Sequence, residues 1–230
     1  MIKKNVKILK NSIVVITGAG RGLGKSLVAA FTNREAHVIA SDIDSRQYKT
    51  DVRDEVEVKR LADEIVKKFG QIDIWINNAG IWLPRMSVQE LDMNRVREIF
   101  NVNVFGTIHG TRAALKIMEH QGKGTIVNIV STAALVGRPF FATYSASKHA
   151  EKGFTDSVRE ELREQGSNVS IIGIYPGGIK TNLFDEKKPD DFAKYMEPEF
   201  VAEAIVANLE KEKPEPDLIL KRPGQDIKFK

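Results

Sequence analysis

Tyr144 and Lys148, in the stretch Thr143-Tyr-Ser-Ala-Ser-Lys148, have types and spacing that suit proton transfer. On a helix they lie one turn apart on the same face. A phenol ionises near pH ~10, so it is a poor base at neutrality. Lowering its pKa by about 3 units takes about 4 kcal/mol of preferential stabilisation of the phenolate. A Lys ammonium beside it, joined by a second positive charge in a dry cleft, supplies stabilisation of that order. The product is a Tyr that exchanges a proton with an alcohol oxygen near neutral pH. A Tyr and a Lys four apart on a solvated helix face are also commonplace, so the pair gains meaning only from the elements that position it.

The first of these elements is upstream. Ser12-Ile-Val-Val-Ile-Thr17 is a β-branched apolar run that predicts a strand buried on both faces. It leads into Thr17-Gly18-Ala-Gly20-Arg21-Gly22-Leu23-Gly24, and a helical pattern through Leu23, Leu27, Ala30 and Phe31 follows. Strand, glycine loop and helix together aim backbone N–H groups at a pyrophosphate. Gly18 permits the tight turn, Gly22 a close approach of the phosphates, and Gly24 close packing of the helix on the sheet. A second strand, Ala36 to Ser41, ends in Asp42, near the distance at which a dinucleotide fold places the acid for its ribose hydroxyls. An Asp at a strand end is also a common turn former.

Gln47 to Val52 could form a short strand, but parallel strands need a dozen or more residues between them, which favours a loop or single turn. Asp54 is the expected N-cap of a helix through Val58, Leu61, Ile65 and Phe69, stopped by Gly70. Ile72 to Ile76 is a further strand, followed by the polar turn Asn77-Asn78-Ala-Gly80. A long helix is expected from about Met93 to Met118, and Asn103 among its apolar neighbours wants a reason. Gly124 to Val130 predicts a strand ending at Ser131, and a helix from about Thr143 to Gln165 carries Tyr144 and Lys148. Val169 to Ile174 is the next strand, ending in Tyr175-Pro-Gly-Gly178-Ile179-Lys-Thr181. Asn182 to Met196 is weakly periodic and predicts a mobile loop or small helix over the cleft. A helix at Glu199 to Glu212 and a strand at Asp217 to Leu220 close the pattern, with a solvated tail from Lys221.

Composition bounds the function. The chain has 230 residues, 42% hydrophobic and 29% charged, a globular balance that predicts one domain, 1–230. Its net charge of +4 is interspersed, without a basic block carrying aromatics, which gives only weak support for a nucleic-acid partner and favours a solvated basic surface. No cysteine is present, so disulfides and Cys metal sites are excluded, and no metal is expected. Neither a signal peptide nor a membrane-spanning run is visible, so the expected compartment is the cytoplasm.

The alternation predicts an α/β fold, a Rossmann-type doubly wound parallel sheet of about seven strands in three layers. Over almost its whole length the chain resembles the short-chain dehydrogenase/reductase family in its single-domain form. The resemblance rests on Thr17-Gly-x-x-x-Gly22-x-Gly24, Asn77-Asn-Ala-Gly80, Asn103, Ser131, Tyr144-x-x-x-Lys148 and Pro176-Gly, all in register. It implies hydride transfer between a nicotinamide cofactor and a small carbonyl or secondary alcohol. By that resemblance Tyr144 is the general acid/base, Ser131 orients the substrate oxygen, Lys148 lowers the Tyr pKa and binds the nicotinamide ribose, and Asn103 holds a helix irregularity and a water relay. Cofactor contacts are implied for Gly18, Arg21, Gly22, Leu23, Asp42, Asp51, Val52, Asn78, Tyr144, Lys148, Ile179 and Thr181. The cofactor expectation is NAD, with NADP the alternative because of Arg21. The resemblance also implies a homo-oligomer, dimer or tetramer. Two departures stand out: a short segment between Asp42 and Asp51, and a C-terminus without the usual glycine-rich final segment. Trp82, Leu83, Phe140, Phe141, Leu183 and Met196 are expected to form an apolar substrate wall. Competing readings are a cofactor-binding pseudoenzyme that senses or scaffolds, and a sugar-nucleotide epimerase on the same fold.

Overall fold

The computed structural model describes residues 9–222. Four apolar residues, Ile13–Ile16, form β1 and are buried on both faces. They pair in parallel with β2 (His37–Ala40) on one side and β3 (Ile74–Asn77) on the other. The sheet continues through β4 (Gly124–Ile129), β5 (Val169–Pro176) and β6 (Asp217–Leu220), in the order β2-β1-β3-β4-β5-β6, parallel throughout. Side chains alternate across it. Val14, Ile16 and Ile74 pack with α1 (Gly22–Thr32) and α6 (Pro198–Leu209). Ile13, Val15 and Trp75 pack with α2 (Glu55–Phe69), α4 (Gly106–Gln121) and α5 (Ala142–Glu164) on the other face. The order in which strands are added switches sides between β1 and β3, and the crevice outside the strand ends at such a point is where ligands bind in open α/β sheets.

Local chemistry explains the boundaries. Asp54 accepts from the Val56 and Glu57 amides at the start of α2, acids sit in its first turn and lysines in its last, and Gly70 closes it at φ 81°. The expected long helix is three pieces: α3 (Met93–Ile99), a π-helical segment Phe100–Phe105 carrying Asn103, and α4. Among the described residues the sheet has six strands, where about seven were expected. Segment 47–52 makes one bridge, Lys49 with Asp42, and no strand, because so short a connection cannot cross the sheet. The 182–196 segment holds two 3₁₀ turns, Asn182–Phe184 and Phe192–Lys194, tied by edge-on ring contacts of Phe184 with Trp82, Phe192 and Tyr195. The solvated tail expected beyond Lys221 falls outside the described residues from 223 on. Among the described residues, no helix is long and apolar enough to cross a membrane.

Candidate active site

The carboxyl ends of the strands open into a cleft of about 570 Å³. It brings together all the predicted cofactor residues: Gly18, Arg21, Gly22, Leu23, Asp42, Asp51, Val52, Asn78, Ile179 and Thr181, with Ser131, Tyr144 and Lys148. Asn103 alone of the predicted site residues stands behind the wall, fully buried.

One end is the glycine loop. Gly18 sits at φ 62°, and a Cβ there would lie 2.7 Å from Ala79 Cα. A Cβ on Gly24 would collide with the Gly18 carbonyl oxygen, so only glycine lets α1 start so close to the sheet. Thr17 and Asn78 brace this loop. Thr17 Oγ1 accepts from the Asn78 and Ala79 amides at 3.1 and 3.2 Å, and Asn78 Nδ2 donates to the Thr17 and Gly18 carbonyls at 2.9 Å each. Asn78 thus lines the cleft with its amide committed to the protein. Helix α1 begins at Arg21 with no side-chain cap and no acid in its first turn. Its first-turn N–H groups face an open cleft, the donor set that a pyrophosphate takes. The residues present therefore fit a dinucleotide.

At the far edge of that loop, Asp42 Oδ2 accepts from the Gly20 amide at 2.9 Å and Oδ1 from Asp44 at 3.2 Å. Asp51 is engaged by Arg53, whose Nη2 lies 2.6 Å from Oδ2. That hydrogen bond holds the Asp51 carboxyl below the usual carboxylate range.

The other end holds the acid/base candidates. Tyr144 and Lys148 project from one face of α5, with Lys148 Nζ 5.8 Å from the Tyr144 ring centre. Ser131, at the end of β4, starts a 3₁₀ turn by accepting from the Ala133 amide at 3.0 Å, and it lines the cleft together with the phenol of Tyr144. Ser145 Oγ donates to the Ala133 carbonyl at 2.7 Å and pins α5 to that turn. Asn103 Oδ1 accepts from the Ile81 amide at 2.9 Å, and its Nδ2 donates to the Ile81 carbonyl and to Ser147 Oγ. The expected helix irregularity at Asn103 is the π segment itself.

Lys148 acts on the Tyr144 phenol in the expected direction, downward. Burial pushes the Tyr144 phenol up, and although Lys148 and Ser131 oppose it, Glu151 adds to it, so the net shift in the protein alone is upward. Lys148 is not a free cation: its Nζ lies 2.8 Å from Glu151 Oε1 and donates to the Ile129 carbonyl at 3.1 Å. Burial pulls the ammonium pKa down, but Glu151 and Tyr144 more than offset it. Burial also pushes the Glu151 carboxyl up to about 7, against the pull of Lys148.

Of the predicted apolar wall, Trp82, Phe141 and Leu183 line the cleft. Phe140 does not; it is 58% exposed. Leu83 and Met196 are buried away from the cleft, Met196 in the core beside α6. Phe184 and Tyr195 take their place, and Arg95 and Glu186 close the rim through paired contacts of 2.7 and 2.5 Å. Sequence reasoning missed these because the partners are far apart in the chain. Glu151 had a signal: it shares the inward stripe of α5 with Lys148, Thr155, Val158 and Leu162.

Comparison with known proteins bears on the family and the fold. The chain is 34% identical over 231 residues to the uncharacterized oxidoreductase YxnA of Bacillus subtilis, covering 89% of this chain and 64% of that protein's length. It is 31% identical over 191 residues to an (S)-acetoin-forming diacetyl reductase of Staphylococcus epidermidis, covering 74% of this chain and 72% of the relative. Among solved structures, a 3-ketoacyl-(acyl-carrier-protein) reductase from Brucella melitensis complexed with NADH superposes with a TM-score of 0.85 at 24% identity, over 94% of this chain and 98% of the other. The model of the short chain dehydrogenase family matches residues 12–191, and the chain belongs to that family of nicotinamide-dependent oxidoreductases.

Proposed function

We propose that the chain interconverts an apolar ketone and its secondary alcohol with NAD as the preferred cofactor, Tyr144 acting as general acid/base. The observation that carries this reading is that Ser131, Tyr144 and Lys148, the last two one turn apart on one face of α5, line the same cleft as the uncapped start of α1. The glycine loop and α1 amides would hold the pyrophosphate, Asp42 the adenosine ribose, Ile179 and Thr181 the carboxamide, and Lys148 the nicotinamide ribose. The cofactor, when bound, supplies or accepts the hydride at the carbinol carbon. The protein's part is position and proton. In reduction the Ser131 hydroxyl orients the substrate carbonyl. The Tyr144 O–H bond breaks and its proton goes to the oxygen as the carbon becomes C–H. In oxidation the phenolate takes that proton back.

Trp82, Phe141, Leu183, Phe184 and Tyr195 supply an apolar surface around the reacting end, which favours a hydrophobic substrate. The diacetyl reductase relative fits a small ketone at such a site. The test is the change in reduced-nicotinamide absorbance with a graded panel of ketones and secondary alcohols. Turnover only of small, highly polar substrates contradicts the apolar reading. No turnover at all supports a cofactor-binding sensor instead. The same reading carries a homo-oligomer, dimer or tetramer, which light scattering measures directly.

A further inference from the structure

Glu151 has no part in the chemistry above, yet it is the most enclosed carboxylate near it. It is 1% exposed and its partner Lys148 is 5% exposed. Its Oε1 has no hydrogen-bond donor correctly aligned to it, and its close neighbour is the Lys148 ammonium at 2.8 Å; Oε2 accepts from the same ammonium at 3.1 Å. A buried carboxylate with one cation and no neutral donors is costly, and an apolar side chain would fill the space without that cost. Its position on α5 is fixed from below: Thr155 Oγ1 donates to the Glu151 carbonyl at 2.8 Å and accepts from Asn128 Nδ2 of β4 at 2.9 Å. Among the described residues, Lys148 is the charged group acting on Glu151, and Tyr144 and Glu151 are those acting on Lys148. The elements packed against the triad present neutral groups: β4 gives Lys148 the Ile129 carbonyl, while Asn128 of β4 bonds Thr155 and Asn103 of the π segment bonds Ser147, both on α5.

We propose that Glu151 is a positioning residue of the acid/base pair: its carboxylate draws the Lys148 ammonium to the inner side of α5 and offsets the positive charge that Lys148 presents to Tyr144. This rests on the reading of Tyr144 as the proton carrier. Lys148 stands between two oxygen acids on one face of one helix, so charge compensated by Glu151 is charge the phenolate does not feel. With the carboxylate ionised, Tyr144 holds its proton more firmly, which suits an acid donating to a ketone. With the carboxylate protonated, Lys148 is released toward the cleft and the phenolate is easier to form. The burial-driven rise of the Glu151 carboxyl to about 7 puts that change near neutrality.

The test is a difference titration of phenolate absorbance on the unliganded chain. Wild type is compared with Tyr144→Phe, and Glu151→Gln with the Glu151→Gln/Tyr144→Phe double variant, which isolates Tyr144 from the other tyrosines. The expected result is a Tyr144 midpoint lower by at least about one pH unit in Glu151→Gln, with Glu151→Asp, which keeps the charge, closer to wild type. Glu151→Met is the second neutral variant and should shift the midpoint the same way. A folded Glu151→Gln with an unchanged midpoint overturns the proposal. So does failure of both neutral variants to fold, since Glu151 would then be a structural ion. Because the titration uses no cofactor or substrate, a shift seen in a chain that turns over no ketone overturns the proposed ketone–alcohol activity and leaves the electrostatic role of Glu151 standing.

Discussion

Asn103 pairs with Ile81 as one strand residue pairs with another: its side-chain amide accepts from the Ile81 N–H at 2.9 Å and donates to the Ile81 carbonyl at 3.0 Å. The loop after β3 therefore has its backbone satisfied by the π segment, with the glycine loop on one side and Ser147 of α5 on the other. Asn103→Leu leaves both groups of the half-buried Ile81, which borders the cleft, without these partners. At about 1–3 kcal/mol for each unsatisfied group, the expected loss is about 2–6 kcal/mol, toward the lower end because Ile81 is only half-buried. Chemical denaturation measures it. A variant as stable as wild type would show that the pairing is incidental.

Tyr144→Phe removes the proton carrier and little else. Turnover should fall by at least about a hundredfold while cofactor affinity stays near wild type, since general acid/base terms are worth about 10²–10⁴. The pH dependence has a definite sign. The phenol is held above its ordinary value by burial, so ketone reduction, which uses the protonated form, should be steady through neutrality and decline in alkali. Alcohol oxidation, which uses the phenolate, should rise toward alkaline pH. Steady-state rates in both directions check this, and near-normal turnover of Tyr144→Phe would remove it from the chemistry.

Much of this arrangement was legible in the chain. Four-residue β-branched runs such as Ile13–Ile16 can hide in a parallel sheet and nowhere else so easily, and Thr17 to Gly24 states its purpose through glycines no other residue could replace. The π segment was legible only as an anomaly, an Asn among apolar neighbours. The rim and the wall were not legible, because Arg95 and Glu186 are 91 residues apart and Tyr195 reaches Phe184 only through the folding of the 182–196 segment. Met196 shows the limit of residue type as a guide: an apolar side chain near the cleft joined the core with α6 instead.

The Arg95–Glu186 pair joins α3 to the segment that covers the cleft. Both side chains are partly solvated, so the bond should contribute at most about 1 kcal/mol to stability. Its effect should appear instead in how tightly the cleft holds its ligand. Glu186→Gln is expected to leave thermal stability nearly unchanged, to weaken cofactor binding by up to about fivefold through faster release, and to reduce the salt dependence of that release. Arg95 holds the Glu186 carboxyl below its ordinary range, so the wild-type pair should persist into mildly acidic buffer. Stopped-flow displacement of bound cofactor at two ionic strengths decides it, and equal release rates for wild type and variant would count against a latch.

Glu151 should also mark the pH dependence of folding. In the unfolded chain its carboxyl ionises near 4.5, and in the folded one near 7. The folded state therefore binds more protons between those values. The contribution is fully present below about pH 4.5 and is lost as pH rises through about 7, by about 3 kcal/mol if nothing relaxes. Glu151→Gln cannot titrate, so its stability should lack this decline. Denaturant midpoints for both proteins at pH 5 and 8 make the comparison, and parallel curves would place the Glu151 carboxyl at its ordinary value.

Cofactor choice turns on Asp42, and the structure adds a complication to the sequence argument. An acid at the end of β2 accepts hydrogen bonds from ribose hydroxyls and repels a 2′-phosphate. At about 4 Å and an effective dielectric near 20, one like-charge pair costs about 4 kcal/mol before relaxation. Arg21 lines the same cleft and is long enough to offset part of that. Asp42, however, is fixed, because its Oδ2 already accepts from the Gly20 amide within the glycine loop. A fixed acid outweighs a mobile base, so NAD should be preferred. The same bond means that Asp42→Ala removes a loop contact as well as a charge, and should weaken both cofactors while shifting their ratio. Asp42→Asn separates the two effects, since its amide oxygen can still accept from Gly20 while the charge is gone. It should bring the NADP-to-NAD ratio of kcat/KM up by at least about tenfold, the equivalent of about 1.4 kcal/mol, and leave the affinity for NAD closer to wild type than Asp42→Ala does. Steady-state kinetics of the three proteins with both cofactors is the measurement. A wild type that prefers NADPH, with a ratio that neither substitution moves, would show that Arg21 and not Asp42 governs the choice.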